Sequence, residues 1–197
     1  MNYISKNNYL SEAEMKINAR CIWDYLGTRG WSLNAVAAML GNMETESTIN
    51  PGIWESLEIS MFNGFGLVQW TPATKYLDWA ESYDLDPNDI VSQLKRIEYE
   101  VEAGIQWIPT SMYPLSFAQF KVSEFGAGYL AMAFLYNYER PASLDQPNRA
   151  TQAVKWYEYL RQFEPIGPND PNSPTYQGRK GMKKLLMYAA TRRYVVR

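Results

Sequence analysis

Residues 41–52 read G-N-M-E-T-E-S-T-I-N-P-G, and the rest of the chain is best read outward from them. An apolar pattern runs into this stretch: Leu33, Val36, Ala37, Leu40 and Met43 recur at helical spacing behind Ser32, a natural N-cap. Pro51 and Gly52 cannot continue a helix, so it should stop where Glu44 and Glu46 sit. Two residues apart, these carboxylates do not share a helical face. One is expected to point inward and the other outward, and spacing does not say which. A carboxyl entering an apolar groove at the negative end of a helix is favoured in its neutral form, the state a general acid needs. From position alone, an ordinary solvated helix-end glutamate is the favoured reading of Glu46.

Working outward, S-E-A-E at residues 11–14 is a capping box and predicts a helix from about residue 12. Met15, Ala19, Ile22, Trp23 and Leu26 give it one apolar face. Residues 50–70 lack a helical period and carry Pro51, Gly52, Gly64 and Gly66, which predicts loops or a small β-hairpin. Thr71-Pro72 and Asp86-Pro87 each read as the start of a further helix. Residues 116–122 suggest a short helix and residues 128–138 a buried one. A last domain helix is expected over 148–160, with Ala150, Ala153, Val154 and Tyr157 inward.

Two further segments carry polar groups beside apolar ones. G-F-G-L-V-Q-W at 64–70 offers glycines for close ligand approach, Gln69 for hydrogen bonds to sugar hydroxyls and Trp70 for stacking. A glycine-kinked hairpin with a core Trp fits equally well. Y-N-Y-E-R at 136–140 ends a very apolar run. It suggests a buried hydrogen-bonded set facing a cleft, or a helix terminus with an internal Glu139–Arg140 pair.

The composition narrows the chemistry. The chain of 197 residues fits one domain with an appendage, and it contains no His and one Cys. That excludes His-based triads, most zinc-hydrolase sites and any disulfide within the chain. Carboxylates and tyrosines remain as acid–base groups. No cofactor is implied, since paired Cys and a phosphate loop are absent as well. The 7 Trp and 15 Tyr are rich for this length and suit either a core or a sugar-binding groove. Residues 1–160 hold 11 Lys and Arg against 19 Asp and Glu, whereas residues 161–197 hold 8 against 2. Four prolines within residues 165–174 mark an extended linker between these parts. The expected organisation is therefore a catalytic domain over 1–163 and a Pro-rich linker with a basic tail over 164–197. The tail reads as a solvated linker, or as an electrostatic tether to anionic wall polymers. The N-terminus lacks the apolar run of a signal peptide, and no segment reaches the length of a membrane span.

The order E-S (46–47), G-L-V-Q (66–69), Y-N-Y (136–138) resembles the motif series of goose-type lysozymes and soluble lytic transglycosylases. More closely, the chain resembles the phage tail lysozyme family through S-E-A-E-M-K at 11–16, G-N-M at 41–43, E-S-T-I-N-P-G at 46–52, G-F-G-L-V-Q-W-T-P-A at 64–73 and Y-E-R-P-A at 138–142. The resemblance covers about residues 1–160 and breaks the tie in favour of Glu46 as the catalytic acid. It implies an α+β, mainly α, lysozyme-like fold of two lobes, with a small β-hairpin region over 52–70 and a substrate groove. The implied activity is muramidase cleavage of peptidoglycan between N-acetylmuramic acid and N-acetylglucosamine. Ser47, Gln69, Trp70, Tyr136, Asn137 and Glu139 would line the substrate, and Glu58, before Glu55, would be a second carboxylate. The alternatives are a lytic transglycosylase and a catalytically silent glycan-binding tail protein. The implied partners are peptidoglycan strands and other phage tail proteins, without nucleic acid or membrane insertion. The implied location is the virion tail, or the host cytoplasm with release at lysis.

Overall fold

A computed structural model describes residues 2–167. The expected basic tail lies outside them, apart from its first residues. Among the described residues the chain is mainly helical: α1 (Glu12–Gly27), α2 (Leu33–Ser47), α3 (Thr74–Ser82), α4 (Ile90–Glu102), α5 (Phe117–Lys121), α6 (Ala127–Phe134) and α7 (Asn148–Leu160). A 3₁₀ turn spans Glu55–Leu57, and a π turn, Leu135–Glu139, continues α6.

The centre is α2, which packs against α1, α6 and α7. Its residues from Ala35 to Leu40, and Met43, are fully buried. Ser32 caps it as expected, accepting the amide of Ala35 at 3.1 Å. Gly41 lets α7 come close, because a Cβ there would lie 2.5 Å from the Arg149 carbonyl and 2.7 Å from the Ala153 nitrogen. The capping box of Ser11 and Glu14 starts α1, whose predicted apolar face is buried throughout.

Other starts shift. Asp89, not Asp86, caps α4, accepting the Ser92 amide at 2.8 Å. The third helix begins at Thr74, beyond a cis Thr71-Pro72 bond, so Pro72 is not its first residue. On α7 the inward face is Arg149, Ala153, Trp156 and Leu160. Val154, expected inward, is 50% exposed. Two stripes were available on this helix; the one carrying the large Trp156 ring buries more apolar area.

The expected hairpin is reduced to isolated antiparallel bridges, Trp54 with Phe65 and Phe65 with Trp70. Side chains hold this region in place of a ladder. Asn50 donates to the carbonyls of Lys6 and Asn8, both at 2.7 Å. Gln93 donates to the Pro51 carbonyl at 2.7 Å and accepts the Leu67 amide at 2.7 Å. Gly66 sits at φ +79°, and a Cβ there would lie 2.6 Å from the Gln93 amide. Buried amides thus satisfy the loop's polar backbone where strands would otherwise do so.

Residue 163, the last of the expected domain, and the first residues of the expected linker lie against α1. The Phe163 carbonyl accepts Trp23 Nε1 at 2.9 Å, and the Ile166 amide donates to Asp24 at 2.9 Å.

Candidate active site

Three helical segments end in glutamates that influence one another: α2 with Glu46, α4 with Glu100, and α6 with its π turn bearing Glu139. Each end carries carbonyls without helical partners, so the region is electronegative before any side chain is counted.

Neither carboxylate of the opening stretch points freely outward. Glu44 accepts Trp156 Nε1 at 2.7 Å and Lys155 Nζ at 2.8 Å, and its side chain is 14% exposed. Glu46 pairs with Arg149, and its side chain is 22% exposed. The expectation of one inward and one outward residue gives way because α7 runs alongside and supplies a cation to each.

Arg149 is the hub. Its side chain is 3% exposed. It donates from Nη2 to Glu46, from Nη1 to Asn42 at 3.1 Å and from Nε to Gln146 at 2.7 Å. Asn42 is itself held by the carbonyls of Ala38 and Ala131, both at 3.0 Å. A guanidinium this buried needs a counter-charge, and Glu46 provides it.

Glu139 differs. The residue as a whole is half-buried, but its Oε1 is sealed from solvent and accepts no hydrogen bond. Burial pushes its carboxyl well above the ordinary glutamate range. The charges of Glu46 and Glu100 push the same way, and Arg149 opposes them. Of the two readings of this segment, the internal Glu139–Arg140 pair does not form; Arg140 turns to Gln106 at 2.8 Å. Glu100, by contrast, is fully engaged. It accepts Arg96 Nε at 2.9 Å, Trp70 Nε1 at 3.1 Å and the Tyr138 hydroxyl.

Several residues predicted to line a substrate face the interior instead. Trp70 is 6% exposed, stacks on Tyr76 at 4.6 Å and spends its N–H on Glu100, so its ring is core and not a sugar platform. Ser47 is buried and donates to the carbonyls of Met43 and Leu67 at 2.9 Å, tying α2 to the 64–70 loop. Asn137 is buried and holds the neighbouring loop through Thr110 and Tyr113. Gln69, at φ +50°, is half-buried, and its Nε2 donates to Gly66 at 2.9 Å. Tyr136 is half-buried, its ring 5.1 Å from that of Tyr113. Glu58 is exposed. Glu55 closes the neck of the same loop by accepting the Gly64 amide at 2.8 Å. A cavity of about 450 Å³, lined by residues that include Asn34, Glu124 and Tyr157, contains none of the predicted site residues.

Sequence reading missed Arg149, Asn42 and Glu100. Their only signal was a charged or polar group at positions that share a stripe with apolar ones. Among the described residues no cluster of three or more His, Cys, Asp or Glu is placed to hold a metal ion, and no helix is long and apolar enough to cross a membrane.

The described residues thus form a helical domain in which an arginine-held carboxylate, Glu46, acts electrostatically on a buried carboxyl, Glu139. The chain belongs to the phage tail lysozyme family, whose sequence pattern matches residues 17–160. It is similar to morphogenesis protein 1 of Bacillus phage B103, with 53% identity over 159 residues, or 80% of this chain and 43% of that protein. The chain therefore spans less than half the length of this relative.

Proposed function

We propose that the protein is a muramidase that cleaves the β-1,4 bond between N-acetylmuramic acid and N-acetylglucosamine in peptidoglycan, with Glu46 as general acid. The observation that carries this reading is Glu46 itself: a carboxyl in the last turn of the central helix α2, partly open to solvent and fixed in place by the buried Arg149. Glycoside cleavage uses carboxyl groups in different roles at one site. Family membership supports the same reading.

In this reading Glu46 protonates the departing glycosidic oxygen as positive charge grows on the anomeric carbon. Water adds to that carbon. Inverting hydrolysis places a second carboxylate about 6.5–9.5 Å from the acid, and Glu58 on the 52–70 loop is the candidate. Gln69 and Tyr136, both half-buried, are the candidates for holding the glycan alongside. The B103 relative's description as a morphogenesis protein supports a virion-associated enzyme with tail proteins as neighbours.

A purified-wall turbidity assay tests this. Glu46→Gln should reduce clearing by about 10²–10⁴-fold with an unchanged circular dichroism spectrum. Clearing at the wild-type rate would overturn the assignment. A second reading rests on Glu58 being a solvent-exposed residue of the loop. Without a placed base, the same acid would serve a lytic transglycosylase that closes a 1,6-anhydro ring. Mass spectrometry of the released muropeptides separates the two, because hydrolysis adds water and ring closure does not. A folded wild-type chain that binds walls without releasing fragments would point to a silent glycan-binding tail protein.

A further inference from the structure

The outer face of α6 carries aromatic rings where a surface helix ordinarily carries polar side chains. Its inner face, Ala127, Leu130, Ala131 and Phe134, is buried. On the outer face, Tyr129 and the π turn's Tyr136 recur at helical spacing, and Phe125 stands just before the cap residue Gly126. Phe125 is 56% exposed and Tyr129 40%. Large rings grouped and left open in this way mark a contact surface.

These rings form one continuous row. Phe125 meets Tyr129 edge-on with centroids 5.4 Å apart, Tyr129 meets Tyr113 at 5.1 Å, and Tyr113 meets Tyr136 at 5.1 Å. Tyr113 comes from another segment, the loop before α5, and bridges the other two tyrosines. Asn137 fixes it there. Its Nδ2 donates to the Tyr113 carbonyl at 2.9 Å, and its Oδ1 accepts the Thr110 amide at 3.0 Å. Thr110 Oγ1 in turn accepts the Tyr113 amide at 3.2 Å. The Y-N-Y segment thus supplies one ring of the row and locks a second in place. A platform held in this way loses little conformational freedom when a ligand settles on it. Burial, then the effect of Tyr136 and Tyr129, push the Tyr113 hydroxyl above the ordinary tyrosine range, so it remains a donor.

The chemistry of the row selects its ligand. Ring faces offer flat apolar area, and the three phenol hydroxyls donate and accept hydrogen bonds at its edges. A pyranose has the matching parts: apolar C–H faces and a rim of hydroxyls. All four side chains are uncharged at neutral pH, which suits a neutral sugar chain and not a polyanion. A row, unlike a single ring, suits a polymer. We propose, on the reading that peptidoglycan is the substrate, that Phe125, Tyr129 and Tyr113 form an accessory binding row for the β-1,4-linked N-acetylated glycan strand, continuous with Tyr136. The row performs no chemistry. It grips the strand and makes affinity depend on strand length.

A binding measurement on the full chain tests the proposal and needs no cleavage. Wild type and the double variant Phe125→Ala/Tyr129→Ala are titrated with N-acetylchitohexaose, a neutral β-1,4-linked strand, and followed by aromatic ¹H–¹³C NMR. The ring signals of Phe125, Tyr129 and Tyr113 should shift in wild type. The dissociation constant should rise about fivefold or more in the double variant, with its circular dichroism spectrum unchanged. Should the double variant lose its fold, Phe125→Ala alone carries the same comparison. Tyr83→Ala removes an equally exposed ring at the end of α3 and should leave the affinity as it is. Unshifted row signals, an unchanged constant in the row variant, or an equal loss in Tyr83→Ala would overturn the proposal. So would row signals that broaden with protein concentration and not with added sugar, since the rings would then be a contact between copies. If wild type binds the hexaose through the row yet clears no walls, the muramidase reading falls and the glycan row stands. If it clears walls and the row does not respond, the row falls and the muramidase reading stands.

Discussion

Glu100 and Glu139 lie in adjoining parts of one interior, on either side of Tyr138, yet they are built differently. Glu100 is surrounded by donors: a guanidinium, an indole N–H and a phenol. Glu139 has an oxygen with none. Both sit at the end of a helical segment, so the helix does not distinguish them. Supply of donors does. A carboxylate that accepts from three buried donors is tied into the core, and losing it would break several hydrogen bonds at once. A carboxyl left unsatisfied gives up hydrogen bonding and gains freedom to exchange a proton. Tyr138 shows the cost borne on the structural side: burial, then the charge of Glu100, push its hydroxyl well above the ordinary tyrosine range, so it remains a donor.

The comparison breaks most visibly at Glu100. Glu100→Gln leaves Arg96 buried without its counter-charge and should destabilise the domain by about 3–5 kcal/mol, read from urea unfolding. A loss below about 1 kcal/mol would mean that Glu100 is not the anchor its hydrogen bonds suggest. Tyr138→Phe keeps the ring, stacked on Phe134 at 4.6 Å, and removes only the hydroxyl. A hydrogen bond to a charged group is typically worth about 1.5–3 kcal/mol, so the loss should fall in that range. Thermal unfolding followed by near-UV circular dichroism would check it.

The two carboxyls were unequally legible in the sequence, and the reason is physical. Local signals carried well: the Ser11 capping box, the Ser32 cap, the start of the last helix at Asn148 and the placing of Glu46 at a helix end all depend on residues close in sequence. The 52–70 region was legible as non-helical but not as a loop pinned by Asn50 and Gln93. Those pins are long-range bonds from amides that read as ordinary polar residues. The site was half legible. Glu46 and Glu139 both came from motifs, whereas Arg149, the cation that organises them, looked like one surface charge on an amphipathic helix. Trp70, Ser47 and Asn137 have the right chemistry for a sugar cleft, but what they do depends on which way the chain turns them. That is set by packing and not by residue type.

The smallest stability effect is expected at Glu139, and it is the sharpest test of the contrast. Replacing a fully bonded buried carboxylate costs stability, but Glu139→Gln removes a group with an unsatisfied oxygen. The change at pH 5 should stay within about 1 kcal/mol in either direction. What should change is the slope with pH. The folded-state proton affinity of Glu139 is raised by burial and by Glu46, so above the ordinary value of 4.5 the folded protein holds a proton that the unfolded chain has released. Its contribution to stability therefore falls as pH rises, by at most about 1.4 kcal/mol per unit, until the folded carboxyl also ionises. Glu14 has the opposite sign but a separate window. Lys6 and the Ser11 cap hold it down to about 2, so its contribution is lost only as pH falls below 4.5. Unfolding free energies measured between about pH 5 and pH 8 thus separate Glu139 from Glu14 below, and from the buried Cys21 thiol and Tyr3 hydroxyl, both pushed up to about 12, above. The wild-type curve should decline more steeply than that of Glu139→Gln. Parallel curves would mean that the buried oxygen finds a donor in solution, and that Glu139 and Glu100 are the same kind of carboxylate after all.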